Sequence, residues 1–276
     1  MRFAPSPAEI LHDFRADENL LVDARGVCMN FKMPTERIDN LKEYAIKFLK
    51  RKIKYKKFEV LKDVDFRVPR GESLALIGRN GAGKSTLLKI ISGIIRPTSG
   101  IVLTKGNVVP LLKLGAGFDY NASGKENIFL NGAMMGFSHR EMQQKYDSIV
   151  EFSELAEFIN APLKTYSSGM VSRLGFAIAV DVNPDLMLVD EVLGVGDIPF
   201  RKKCADKIEE LKKTGTTFIV VSHSMSQIMT LCQKGIYLEN GMIKMQGDIK
   251  TVANAYLADC KALEEAAAKK VLNDRI

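Results

Sequence analysis

Three short apolar runs organise the chain. Leu74–Ile77, Leu186–Val189 and Phe218–Val221 are unbroken by polar residues, the pattern of strands buried on both faces of a sheet. Two further strands are expected near Leu20 to Phe31 and Val60 to Val68. Helical spacing takes over elsewhere. Leu87 to Ile91 reads as the start of a helix, and Val171, Leu174, Ala177 and Ile178 mark another. Residues 125 to 182 are expected to be mainly helical, with Lys125-Glu126-Asn127 opening one helix and His139 to Phe158 forming a longer amphipathic one. Asn240-Gly241 is a strong turn pair and predicts a hairpin. The tail from Asp248 to Ile276, rich in Ala, Lys and Glu, reads as helix. Strands and helices in this alternation predict an α/β fold.

Composition narrows the class. With 276 residues the chain suits one large α/β domain with short additions. No apolar run approaches the ~20 residues needed to cross a bilayer, and Met1 to Glu18 holds acidic residues without a hydrophobic leader core, so a soluble chain is expected. Cys28, Cys204, Cys232 and Cys260 are widely spaced and read as free thiols in a reducing compartment. The net charge of +7 is local, because residues 37 to 57 hold nine basic side chains against Asp39 and Glu43. Leu41, Tyr44, Ala45, Phe48 and Leu49 fall at helical spacing within that stretch, which therefore reads as a basic amphipathic helix suited to anionic lipid.

The candidate chemistry begins where the Leu74–Ile77 run meets Gly78-Arg79-Asn80-Gly81-Ala82-Gly83-Lys84-Ser85-Thr86. Glycines between a strand and a helix let backbone N–H groups converge on phosphates, and the helix N-terminus adds a favourable dipole. Lys84 can reach the β- and γ-phosphates and Ser85 can hold Mg²⁺, so the chain is expected to bind a nucleoside triphosphate. Leu186–Val189 ends in Asp190 and Glu191. Asp190 can position the metal through water, and Glu191 can polarise an attacking water. Tyr166-Ser167-Ser168-Gly169-Met170 opens the Val171 helix and can offer a hydroxyl and backbone donors to a phosphate. Each motif alone has an ordinary structural explanation, a glycine turn, a strand end or a helix cap. Their order carries the reading.

Phosphate loop, Ser-Ser-Gly helix start, Asp-Glu strand, Asp197 and then His223 after Val221-Ser222 resemble, over roughly residues 20 to 248, the ATP-binding subunit of ABC transporters. The resemblance implies a P-loop NTPase fold with a RecA-like core, an antiparallel β subdomain and a helical signature subdomain. It implies an N-terminal segment at 1–19, an ATPase domain at 20–248 and a helical tail at 249–276. Within the ATPase domain it places a basic insertion at 32–57 and the helical subdomain at about 119–182. Position by position, Gly78, Asn80, Gly81, Gly83, Lys84, Ser85 and Thr86 match the Walker A loop, and Asp190 the Walker B aspartate. Ser167 and Gly169 match the signature, Glu191 the catalytic glutamate, Asp197 the D-loop aspartate and His223 the switch histidine. Phe31 or Tyr55, on either side of the insertion, would stack on adenine. ATP and Mg²⁺ are the implied ligands, and two copies would stack head to tail with the signature of one closing over the loop of the other.

Three departures point to one branch. The signature reads Tyr-Ser-Ser-Gly-Met, the position of the usual Q-loop glutamine falls near Leu114, and the D-loop reads Val192-Leu193-Gly194-Val195-Gly196-Asp197. With Leu114-Gly115-Ala116-Gly117-Phe118, these resemble the ATPases that export O antigens, capsules and teichoic acids. The resemblance then implies two copies of a transmembrane permease as partners and a polyprenyl-pyrophosphate-linked glycan as cargo. The place of work would be the cytoplasmic face of the bacterial inner membrane. The tail is too short for the carbohydrate-binding domain that some O-antigen exporters append. The competing classes are a soluble ABC ATPase acting on ribosomes or nucleic acid, an ABC ATPase for another substrate, and a nucleotide-binding protein without turnover. Nucleic acid is not expected, because neither fused ATPase units nor long coiled coils are present, and Lys84, Asp190, Glu191 and His223 argue for turnover.

Overall fold

The computed structural model describes residues 6–34, 55–111, 114–190, 196–222 and 224–273, with side chains as far as 266. Two sheets and a set of helices form three layers. The first sheet is antiparallel, in the order β2-β1-β4, from β1 (Leu20–Pro34), β2 (Tyr55–Pro69) and β4 (Ser99–Thr104). The second has the order β5-β6-β7-β3-β8-β9, from β3 (Leu74–Ile77), β5 (Val108–Leu111), β6 (Leu186–Asp190), β7 (Thr217–Val221), β8 (Lys234–Glu239) and β9 (Met242–Asp248). Its first five strands are parallel and β9 returns antiparallel to β8.

Period-2 alternation divides the central strands between two cores. Leu74, Leu76, Leu186, Leu188, Ile219 and Val221 face a core shared with Leu21, Val27 and Leu61 of the first sheet. Leu87, Leu88, Ile90 and Ile91 of helix α1 (Lys84–Ile91) fill the same core. The intervening residues Ala75, Ile77, Met187, Val189, Phe218 and Val220 face the helical layer. Both faces being covered explains why these strands read as continuous apolar runs.

That layer contains α2 (Gly124–Met134), α3 (His139–Ser153), α4 (Ser168–Asp181), α5 (Ile198–Lys213), α6 (Met225–Leu231) and the tail helix α7 (Ile249–Asn273). Ser123 and Ser138 open α2 and α3 with reciprocal bonds to Glu126 and Glu141, so each helix start is fixed by a capping box. The expected helix from His139 to Phe158 is shorter than its pattern. It stops at Ser153 because Glu154 turns left-handed at φ 59°, while the Lys203 ammonium caps the Phe152 carbonyl at 3.0 Å. Asn240 and Gly241, at φ 51° and 81°, form the expected hairpin turn between β8 and β9.

Elements absent from the sequence reading are β4, β5, α5, α6 and a short N-terminal helix (Pro7–Ala16). That helix seats Ile10 and Phe14 in the interior, with the Lys105 ammonium 4.6 Å above the Phe14 ring. The stretch expected as an insertion at 32–57 is partly strand, since Lys32, Met33 and Pro34 pair with Lys57, Lys56 and Tyr55. The basic amphipathic helix expected between them falls at residues 35–54, outside the described residues. No helix among the described residues is long and apolar enough to cross a membrane.

Candidate functional site

The glycine loop leaves β3 at the carboxyl edge of the parallel sheet and enters α1 at Lys84. Two close approaches demand glycine. At Gly78 (φ 153°) a Cβ would strike the Leu238 carbonyl of β8. At Gly83 (φ 104°) it would lie 2.6 Å from Leu61 Cδ2 and 2.9 Å from the Val60 carbonyl oxygen. The loop is thus pressed between β8 and β2, and the packing sets its height above the sheet.

Lys84 is buried, at 8% exposure, and its ammonium donates to the carbonyls of Gly78 at 2.6 Å and Arg79 at 3.0 Å. A phosphate oxygen in the cleft would offer this buried cation a full opposite charge, which a carbonyl does not. Ser85 is exposed beside it and Thr86 half-buried. Both line a cleft of about 400 Å³ whose walls include Gly81, Gly83, Lys84, Phe58 and Val221. The loop N–H groups and the start of α1 make this cleft suitable for an anion.

Asp190 closes β6 and pairs in register with Val221, so it stands one strand from the cleft wall. It is half-buried. Ser85 and Asp190 are both hard oxygen donors, the chemistry that suits Mg²⁺. Glu191 and His223, which follow Asp190 and Val221-Ser222 in sequence, lie outside the described residues. Ser222 Oγ accepts the Ser224 N–H at 3.0 Å, fixing the entry to α6.

The aromatic candidates separate by strand register. Phe58, which sequence reading passed over, lines the cleft with the phosphate loop. Phe31 is its direct partner across the ladder and shares its face. Tyr55, three residues from Phe58 on the same strand and paired with Pro34, falls on the opposite face.

Ser167 and Gly169 are not among the residues that line the cleft. The Ser167 hydroxyl accepts from Met170 N at 3.2 Å, and the side chain is exposed. A Cβ at Gly169 would meet only Ser167 Oγ, at 3.8 Å, so this helix start is open. No hydrogen bond among the described residues joins Ser167 or Gly169 to residues 78–86. Tyr166 instead turns inward, its hydroxyl donating to the Phe158 carbonyl at 2.7 Å, and burial raises its pKa. Asp197 caps α5 through Phe200 N at 3.3 Å and takes a second bond from Arg173 at 2.8 Å. Leu114 packs beside Gly175 against the core and has no donor for metal or water.

All four cysteines are unpaired. Burial pushes the thiols of Cys204 and Cys232 up to about 12, which makes them inert.

Comparison with known proteins adds an identity to this geometry. A sequence model of the family described as ABC transporter matches residues 61–194. The O-antigen export system ATP-binding protein RfbB of Klebsiella pneumoniae is 46% identical over 204 residues, covering 74% of this chain and 83% of that one. The teichoic acids export ATP-binding protein TagH of Lactiplantibacillus plantarum is 42% identical over 252 residues, or 90% of this chain and 68% of the other. Among solved structures, an ATP-binding subunit of an ABC transporter superposes with a TM-score of 0.68, covering 86% of this chain and 93% of that chain at 21% identity. A dimeric ATP-binding cassette bound to ADP and Pi gives 0.65 at 21% identity, over 83% and 99% of the two chains. At that identity the structures speak for the fold alone.

Proposed function

The chain belongs to the ATP-binding subunits of ABC transporters, and from that premise we propose that it hydrolyses ATP to drive export of a lipid-linked bacterial polysaccharide through a separate permease. The observation that carries the reading is the 46% identity to an O-antigen export ATPase over 204 residues, 74% of this chain. Teichoic acid export ATPases at comparable identity support the same cargo class, a polymer on a polyprenyl pyrophosphate carrier.

In this proposal the triphosphate enters the cleft, and the Lys84 ammonium exchanges the Gly78 and Arg79 carbonyls for β- and γ-phosphate oxygens. The N–H groups from Gly81 to Thr86 hold the remaining oxygens. Mg²⁺, held by Ser85 and Asp190, would neutralise charge on the phosphates. Glu191 orients and polarises water for in-line attack, and His223 contacts the γ-phosphate. Phe58, with Phe31 beside it, supplies the base platform. Ser167 and Gly169, open and outside the lining of their own cleft, are available to close over the loop of a second copy, and Asp197 accompanies them.

The helical layer exposes Tyr120, Leu130 and Met134, an apolar surface suited to the permease. The enzyme would then work peripherally on the cytoplasmic face of the inner membrane. Replacing the chromosomal copy with Glu191→Gln, which should bind ATP and stall hydrolysis, tests the assignment. Lipid-linked polymer should accumulate inside the cell and surface polymer should disappear. Unchanged surface glycan would sink the polysaccharide reading.

A further inference from the structure

Arg173 lies in the second turn of α4 and takes no part in the chemistry assigned above. Its guanidinium forks, one arm donating to Glu154 Oε2 at 2.9 Å and the other to Asp197 Oδ1 at 2.8 Å. The plane rests 4.6 Å from the Phe200 ring centroid. Glu154 is itself fixed by its left-handed backbone at the end of α3 and by Lys203, whose ammonium meets the other carboxylate oxygen at 3.1 Å. Lys203 also lies 4.8 Å from the centroid of the Phe152 ring, which packs edge-on to Phe200 at 5.8 Å and stacks near Phe176 at 6.0 Å. An aromatic floor therefore carries an ionic bridge among three helices, α3, α4 and α5.

We propose that Arg173 is a positioning residue that fixes the distance between the Ser167–Gly169 helix start and Asp197, so that one copy presents both to its partner's nucleotide as a single rigid surface. The inference rests on the head-to-tail reading of those two groups. Partial exposure makes the ion pairs modest contributors to stability. Geometry is what they supply, because a planar fork can hold two carboxylates at a set separation and an ammonium cannot. The phosphate loop is on other elements, so binding of ATP by a single copy does not pass through Arg173.

The test is ATP turnover and nucleotide affinity of the full chain, as wild type, Arg173→Gln, Arg173→Lys and Ser167→Arg. Arg173→Gln should lower kcat about five- to tenfold, with the Kd for ATP within about twofold of wild type. Arg173→Lys, which keeps the charge and the stem, should recover only part of the rate. A double variant with Asp197→Asn should be no slower than the worse single one, since both break the same bridge. An unchanged kcat in Arg173→Gln, full recovery with Lys, or multiplying losses in the double variant would each overturn the proposal. Ser167→Arg separates the two possible failures. If it stops turnover while Arg173→Gln does not, the bridge idea alone is wrong; if neither matters, the head-to-tail reading of Ser167 fails and takes the bridge with it.

Discussion

Replacing Phe58 by Ala should weaken ATP binding about tenfold without unfolding the protein. Phe58 is 54% exposed, which leaves about 100 Å² of a side chain of this size open to solvent. A base lying on one ring face would cover about half of that. At about 25 cal/mol per Å² the loss is about 1.3 kcal/mol, close to a factor of ten and within the range measured for bases stacked on aromatic side chains. The buried remainder of the side chain, nearly as large as the exposed part, sets the stability cost by the same arithmetic at up to about 2 kcal/mol, less than the roughly 5–15 kcal/mol that holds a typical domain folded. Calorimetric titration of a Glu191→Gln background with ATP, GTP and pyrophosphate isolates the effect. ATP and GTP should lose equally, because stacking tolerates either base, while pyrophosphate should be unaffected. Phe31→Ala should cost less, and Tyr55→Ala, on the opposite face of the ladder, nothing. If Tyr55→Ala weakened ATP while Phe58→Ala did not, the argument from strand register would be refuted.

Two further outcomes follow from packing and burial. Gly83→Ala, which needs φ 104° and places a methyl 2.6 Å from Leu61 Cδ2, should destabilise the fold by about 1–3 kcal/mol in urea titration; an unchanged midpoint would show that the β2 contact yields. Thiol labelling of native protein should reach Cys28 and Cys260 but not the buried pair Cys204 and Cys232. Because the folded thiols of that pair titrate at about 12 against an ordinary 9.0, the native state holds more protons than the unfolded one in between. Their contribution to stability is therefore complete below pH 9 and falls as pH rises toward 12. Fast labelling of Cys204 at neutral pH, or stability rising through that window, would contradict the burial argument.

What the sequence made legible was local. The phosphate loop is a contiguous strand, turn and helix start, and Asn240-Gly241 encodes its own turn. The central strands announce themselves because both faces are covered. Ser6 and Glu9 form a capping box with Pro7 at the first helical position, so the N-terminal helix is encoded by the same kind of local signal. Phe58 is a different matter. Its place in the cleft depends on pairing with Phe31, across a connection of more than twenty residues, and no local pattern states that register. The early stop of α3 and the forked role of Arg173 likewise depend on Lys203 and Asp197, which approach from distant elements.

The β8–β9 turn touches both halves of the proposed nucleotide site without belonging to either. Its Gly241 carbonyl receives the Lys62 N–H of β2 at 2.8 Å, and the space a side chain would need at Gly241 is taken by the Val60 carbonyl. Just before the turn, Leu238 presses on Gly78. The hairpin thus acts as a ruler between the strand that carries the base platform and the loop that holds the phosphates. A substitution at Gly241, a position outside the cleft lining, would shift the distance between base and phosphate subsites, and would be read in an assay as altered nucleotide selectivity.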